Sequence, residues 1–120
     1  MDGLLRRAIA TYGIKNQEDV AIEEMSELTK ALMKMHRHER SGKGNYGSLR
    51  MDIFEEIADV EIMLEQLKII YDCKEATEAV KSAKLYRLEK RLSMGEFERR
   101  LMNEKPQEAE KTKSDSDSTV

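Results

Sequence analysis

Apolar residues recur along this chain at the three- and four-residue spacing of helices, and not at the alternating spacing of strands. The pattern predicts a short helix from Leu4 to Tyr12 that ends at Gly13. A long helix is expected from Gln17 to about Arg40, with Asn16 as its N-cap. The segment from Ser41 to Ser48 holds three glycines and is the clearest loop of the chain.

The second half of the chain continues in the same way. A second long helix is predicted from about Leu49 to Tyr71, followed by a brief turn at Asp72 and Cys73 and a third helix from about Glu75 to Leu92. Whether that helix continues into Glu96–Asn103 stays open. Six glycines, one proline and no β-branched runs favour an all-α fold. We expect one helical domain over residues 1–103 and a disordered polar tail over 104–120, which has almost no apolar residue to bury.

The second long helix is apolar on two sides. One stripe contains Ile53, Ile57, Val60, Leu64 and Leu67, and a roughly opposite one contains Phe54, Ala58, Ile62 and Ile69. A helix that is apolar on two sides must be covered on two sides, which three or four helices of one chain seldom achieve. We therefore expect a homodimer or homotetramer in which a second copy completes the helical bundle. The alternative is a tightly packed monomer.

Composition and charge indicate in which compartment the protein works and which classes of partner it binds. The net charge is −3, which gives no general reason to bind nucleic acid or an anionic membrane. The single cysteine, Cys73, excludes an intramolecular disulfide and suggests a reducing compartment. No secretory-signal pattern and no apolar stretch of membrane-spanning length are present. A soluble cytoplasmic protein without nucleic-acid or membrane partners is the expectation.

Two pairs of acids are the candidate chemistry. Glu24 and Glu27 lie three apart on one predicted helix, and Glu56 and Asp59 lie three apart on the next, so each pair points one way. Both pairs lie beside apolar positions, where carboxylates repel each other and lose hydration unless cations compensate them. Hard oxygen ligands suit Mg²⁺, with Mn²⁺ as a substitute. The competing explanation is salt bridges from lysines.

The acids and their surroundings resemble a known family. Glu23, Glu24 and Glu27 stand in the segment EEMSELTKAL, and Glu56 and Asp59 in EEIADVEIML. The pattern E-E-x-x-E followed by E-x-x-D is similar to the signature of the MazG-like, all-α nucleoside triphosphate pyrophosphohydrolases, which include dimeric dUTPases and phosphoribosyl-ATP pyrophosphatases. The similarity extends over residues 8 to 92.

The resemblance implies a MazG-like bundle that hydrolyses a nucleoside triphosphate to the monophosphate and pyrophosphate. In this sequence Glu24, Glu27, Glu56 and Asp59 would bind Mg²⁺, and Glu23 would be a neighbouring acid. Catalysis would then involve Glu24 and Glu27, with Glu27 favoured to accept the proton of the attacking water.

Basic residues are candidates for holding the substrate phosphates. Lys84, Arg87 and Arg91 follow one stripe of the third long helix, and the resembled family has basic residues there. Lys30, beside the first acid motif, is a further candidate. A solvated basic face is the ordinary alternative for the stripe.

Several readings stay open at this level. Within the enzyme class, the alternatives are a dUTPase-like or a phosphoribosyl-ATP pyrophosphatase activity. From another class comes a non-catalytic helical module that binds a protein. His36 and His38 lie two apart on a helix and face different directions, so a surface role is favoured over metal binding.

Overall fold

The computed structural model describes residues 1–104, and all four regular elements in that range are helices. They are α1 (Asp2–Tyr12), α2 (Ile14–Ser41), α3 (Tyr46–Ile70) and α4 (Lys74–Glu104). The all-α prediction is therefore confirmed for this part of the chain. The tail predicted over 104–120 lies, from residue 105 onward, outside the described residues.

The junction between α1 and α2 is tighter than predicted. Gly13, with φ of 96°, ends α1 and also stands at the N-cap of α2. The N–H of Gly13 donates to the Ile9 carbonyl at 2.8 Å, and its own carbonyl accepts from the N–H of Gln17 at 3.0 Å. Positive φ is readily available to glycine, which lets one residue separate two helices. The prediction of Asn16 as N-cap is wrong, because Asn16 lies inside α2.

The loop between α2 and α3 is also shorter than predicted and covers residues 42–45. Gly42 adopts the left-handed conformation, φ 75°, that commonly ends a helix. The Asn45 side chain accepts a hydrogen bond of 2.8 Å from the N–H of Ser48. This N-cap starts α3 three residues earlier than the glycine pattern indicated, and Gly47 falls in its first turn.

Helices α1 to α3 form one compact unit, Met1–Lys74, and a second unit starts at Glu75. Within the first unit, α2 and α3 pair as an antiparallel hairpin and α1 contacts both. The described part of the second unit is the rest of α4, which runs without a break through Gly95 and has no buried residue between Lys74 and Glu104. The open question about Glu96–Asn103 is thereby answered, since these residues are helical.

The core of the first unit is the surface along which α2 and α3 contact each other, here called the seam. Buried positions are four apart at each end of α2 and three apart on α3, so each set lies on one face of its helix. The buried residues of the unit are Leu5 on α1, Gln17, Ala21, Ala31 and Met35 on α2, and Val60, Met63 and Gln66 on α3. No side chain of the described residues is completely enclosed, so this is a thin core.

The two apolar stripes predicted on α3 lie largely outside the seam. Val60 of the first stripe is buried, but Ile57 and Leu64 are exposed. Phe54 and Ile62 of the second stripe are exposed as well. Apolar surface thus remains uncovered on α3 in the single chain, which is the condition for the predicted oligomer. No helix within residues 1–104 is long and apolar enough to cross a membrane.

Candidate metal centre

A buried pair of glutamines joins α2 and α3 across the seam. The Gln17 side-chain amide donates from Nε2 to Oε1 of Gln66 at 2.8 Å, and both residues are buried in the seam. Moving seven residues forward along α2 and seven back along α3, about two helical turns, leads from this pair to Glu24 and Asp59. Because α2 and α3 are antiparallel, the alignment of the helices that pairs Gln17 with Gln66 also places Glu24 opposite Asp59.

Three of the four predicted acids come together at this level of the seam. One carboxylate oxygen from each of Glu24, Glu56 and Asp59 lies within 4.8 Å of the other two. Glu24 and Glu56 are half-buried and Asp59 is exposed, so the cluster lies at the edge of the seam with access to solvent. These three acids are called the acidic cluster below.

The fourth predicted acid lies apart from this group. Glu27 Oε2 is 3.5 Å from Nζ of Lys30, one turn further along the exposed side of α2. Its negative charge is nevertheless felt by Glu56, whose pKa it helps to raise. Of the four acids predicted to converge, three therefore come together, and Glu27 is a neighbour that is paired with a lysine. Their role as metal ligands stays a prediction.

The surroundings disfavour the charged forms of the two half-buried acids. Desolvation by the surrounding protein raises the pKa of Glu24 above its ordinary value, and the charges of Asp59 and Glu56 raise it further. The pKa of Glu56 is raised by desolvation first, then by Asp59 and by Glu27. Glu23 is exposed, and its effect on the cluster is electrostatic, since its charge also raises the pKa of Glu24.

One oxygen of the cluster lacks any partner. Oε1 of Glu56 is buried from solvent and accepts no hydrogen bond. Within the described range, no Lys or Arg nitrogen lies within 4.0 Å of a carboxylate oxygen of the acidic cluster. Lysine salt bridges, the competing explanation for the acids, therefore account for Glu27 and not for the other three.

The donor set suits a hard divalent cation. Carboxylate oxygens are the ligands that Mg²⁺ and Mn²⁺ take from proteins, and an Mg²⁺ site of this kind uses few of them and leaves positions for water or phosphate oxygens. A cation at the cluster would remove the repulsion among three acids and give the orphaned oxygen of Glu56 a partner. The residues present therefore fit the predicted ion.

The basic residues predicted to hold phosphate lie on two different units. Lys30 is exposed on α2 of the first unit. Lys84, Arg87 and Arg91 are exposed on α4, in the second unit. Their exposure keeps them available to an anion and equally fits a solvated face.

Two glutamines are the positioning residues that sequence reasoning did not single out. Gln17 continues the spacing of Ala21 and Gln66 that of Met63, so each is a polar residue in line with the seam. A polar side chain in such a stripe is the signal that could have identified them, because a buried amide needs a partner.

Neither histidine joins a metal-binding group among residues 1–104. Nδ1 of His38 instead lies 2.9 Å from the Lys43 carbonyl oxygen, at the loop between α2 and α3. His36 is exposed. Cys73 lies in the connection between α3 and α4, where the turn was predicted, and forms no disulfide.

Comparison with known proteins adds no relative. No protein-family model matches the sequence, and no curated protein or solved structure was found to be similar to it.

Proposed function

We propose that this protein is a Mg²⁺-dependent nucleoside triphosphate pyrophosphohydrolase whose metal centre is the acidic cluster. The observation that supports this most strongly is the unpartnered, buried Oε1 of Glu56 beside two further carboxylates. A fold with no use for a cation gains nothing from such an arrangement, since each acid raises the cost of ionising the others. The resemblance of the two acid motifs to the MazG-like superfamily supplies the reaction.

Glu24, Glu56 and Asp59 would hold the ion. A divalent ion at such a site neutralises phosphate charge and increases the acidity of a bound water. The reaction hydrolyses the anhydride bond between the α- and β-phosphates: the water oxygen bonds to the α-phosphorus, and pyrophosphate leaves with the bridging oxygen.

The remaining acids and bases of the chain take supporting roles. Glu27, whose Oε2 lies 3.5 Å from Nζ of Lys30, is proposed to accept the proton of the attacking water. Lys30, the exposed partner of Glu27, is proposed to contact a phosphate oxygen of the substrate. The phosphate-binding roles of Lys84, Arg87 and Arg91, which lie on α4 of the second unit, stay predictions based on the resemblance; forked guanidinium contacts suit phosphate oxygens.

A second copy of the chain is proposed to cover the apolar surface of α3. Ile57, Ile62 and Leu64 are each at least 40% exposed in the single chain. Exposed apolar side chains on both flanks of one helix are unusual for a stable monomer and favour a bundle shared between copies.

The decisive experiment incubates the purified protein with a panel of nucleoside and deoxynucleoside triphosphates in Mg²⁺ and measures the products. We expect pyrophosphate and the monophosphate. Glu56→Gln should abolish the release, whereas Glu61→Gln, the same change at an exposed position of α3, should leave it intact. Circular dichroism establishes that both variants are folded.

The metal is tested separately by thermal melting. Mg²⁺ or Mn²⁺ at ten times its dissociation constant should raise the melting temperature of the wild type by on the order of 5 to 10 °C, and that of Glu56→Gln much less. Orthophosphate as the product would show that a different bond is cut. No hydrolysis together with no metal-induced shift would favour a non-catalytic interaction module.

A further inference from the structure

Four planar side chains form a continuous row at the loop end of the hairpin. The rings of His38 and Tyr46 lie 5.9 Å apart, centroid to centroid, at an interplanar angle of 34°. Cζ of Arg50 lies 5.7 Å from the centre of the Tyr46 ring and 5.0 Å from that of Phe54. The last three residues are spaced by four along α3, so they share one flank over about 12 Å. These four residues are called the planar row.

The planar row remains open to solvent. Tyr46 is 52% exposed and Phe54 is 47% exposed. The row is also held in place, because His38 Nδ1 lies 2.9 Å from the Lys43 carbonyl oxygen and the Arg50 guanidinium lies over both neighbouring rings. Ring faces that are exposed and already oriented lose little side-chain freedom when another flat group stacks on them.

The same end of the hairpin is strongly basic. Residues 34–50 contain five Lys and Arg residues and a single acid, Glu39, and therefore have a net charge of +4, although the whole chain has −3. Arg37, Arg40 and Lys43 are all exposed. A local excess of this size attracts a polyanion even when the protein as a whole is acidic.

We propose that the loop end of the hairpin binds single-stranded nucleic acid, with bases stacking on the planar row and phosphates on the surrounding cations. Positive charge alone would suit any polyanion, and an anionic lipid surface would not need an ordered row of rings. Rings interleaved with a guanidinium inside a basic patch are the combination that recognises unpaired bases. The expectation of no nucleic-acid partner rested on the net charge of the whole chain. The hairpin brings His38 of α2 beside Tyr46 of α3 within a segment that is locally basic.

The test uses the full-length protein and a fluorescent oligothymidylate of about 12 nucleotides, followed by fluorescence anisotropy at low salt. EDTA is present, so the result is independent of the acidic cluster and of any hydrolysis. We expect saturable binding that weakens with salt, with a slope of log K against log salt of roughly −0.7 per neutralised phosphate.

Two sets of variants separate stacking from charge. Tyr46→Ala and Phe54→Ala should each weaken binding by roughly 5- to 150-fold, whereas Tyr46→Phe, which keeps the ring, should bind as the wild type does. Tyr12→Ala removes an exposed aromatic residue outside the row and should have no effect.

The charge variants follow the same design. Arg37→Gln with Arg40→Gln should reduce both the affinity and the salt slope. Arg6→Gln with Arg7→Gln, on α1, removes the same charge elsewhere and should change neither.

Several outcomes would overturn the proposal. The first is the absence of saturable binding at low salt. The second is an equal loss of affinity in the α1 charge variant, which would indicate a general charge effect. The third is wild-type affinity in Tyr46→Ala and Phe54→Ala with full competition by inorganic polyphosphate, which would reduce the site to a polyanion patch. Binding to vesicles of phosphatidylcholine and phosphatidylserine without binding to the oligonucleotide would assign the surface to a membrane.

Discussion

The buried glutamine pair permits a quantitative test of how the acidic cluster is positioned. Gln17 is 6% exposed and Gln66 is 4% exposed, and the hydrogen bond between their side chains measures 2.8 Å. Gln66→Met keeps the length of the side chain but leaves the Gln17 amide in the seam without its partner. An orphaned buried polar group costs about 1–3 kcal/mol. For a unit of this size, each kcal/mol corresponds to a decrease of about 4–8 °C in melting temperature.

The double variant, Gln17→Met with Gln66→Met, distinguishes a hydrogen bond from simple packing. Replacing both partners by apolar groups of similar shape is close to neutral, so the double variant should recover most of the stability that either single variant loses. Urea unfolding of the four proteins forms a double-mutant cycle, carried out at one protomer concentration because self-association would shift the apparent stability. A double variant as unstable as the sum of the singles would refute the reasoning.

The same variants report on the metal centre. If the glutamine pair sets the alignment of Glu24 with Asp59, the double variant should be stable yet respond less to Mg²⁺, since an all-apolar seam tolerates small shifts along the helices. An undiminished Mg²⁺ response in that variant would show that the alignment is set elsewhere.

Three further predictions concern titration and assembly. In EDTA, the stability of the wild type relative to Glu56→Gln should fall as pH rises from about 4.5 toward neutrality. The raised pKa values of Glu24 and Glu56 favour the protonated forms in the folded state, and this contribution to stability is lost as the pH passes through those pKa values. Melting temperatures of the two proteins that differ by a constant amount from pH 4 to 8 would contradict this. The Tyr71 hydroxyl donates to Glu18, whose hydrogen bond and charge raise the pKa of Tyr71 above its ordinary 10.0, so Glu18→Gln should lower that pKa toward the ordinary value in a spectroscopic titration, and an unchanged titration would count against the contact. Ile57→Glu places a charge on the exposed apolar flank of α3 and should reduce the mass measured by light scattering to that of one chain, whereas a mass equal to that of the wild type would exclude this flank as the interface.

Much of the fold followed from the spacing of apolar residues, because helices of more than twenty residues repeat their pattern many times. The ends of the helices were harder to predict. Gly13 was expected only to end a helix, yet its positive φ lets the next helix begin at once. Asn45 was assigned to a loop, although its side chain is the N-cap of α3. Both differences arise because one residue type suits two positions: a glycine can end one helix and precede the next, and an asparagine can lie in a loop or cap a helix.

The candidate site was predictable to a similar degree. Helical spacing placed Glu24, Glu56 and Asp59 on faces that converge, and the structure brings them together. The separate position of Glu27 was not predictable. Glu27 lies one helical turn from both Glu24 and Lys30, and its pairing with Lys30 depends on side-chain conformation. The planar row was equally hidden, since its members become neighbours only when α2 and α3 fold back on each other.

All three acids of the cluster and the glutamine pair that aligns them come from one uninterrupted stretch, Ile14–Ile70, joined by a loop of four residues. The site therefore depends on the closure of one hairpin, although its partners are far apart in sequence, 49 positions in the case of the glutamine pair. Such a hairpin is a transferable segment: inserted into an unrelated helical host that shields its apolar flanks, it should bring the same three carboxylates together without the remainder of this chain.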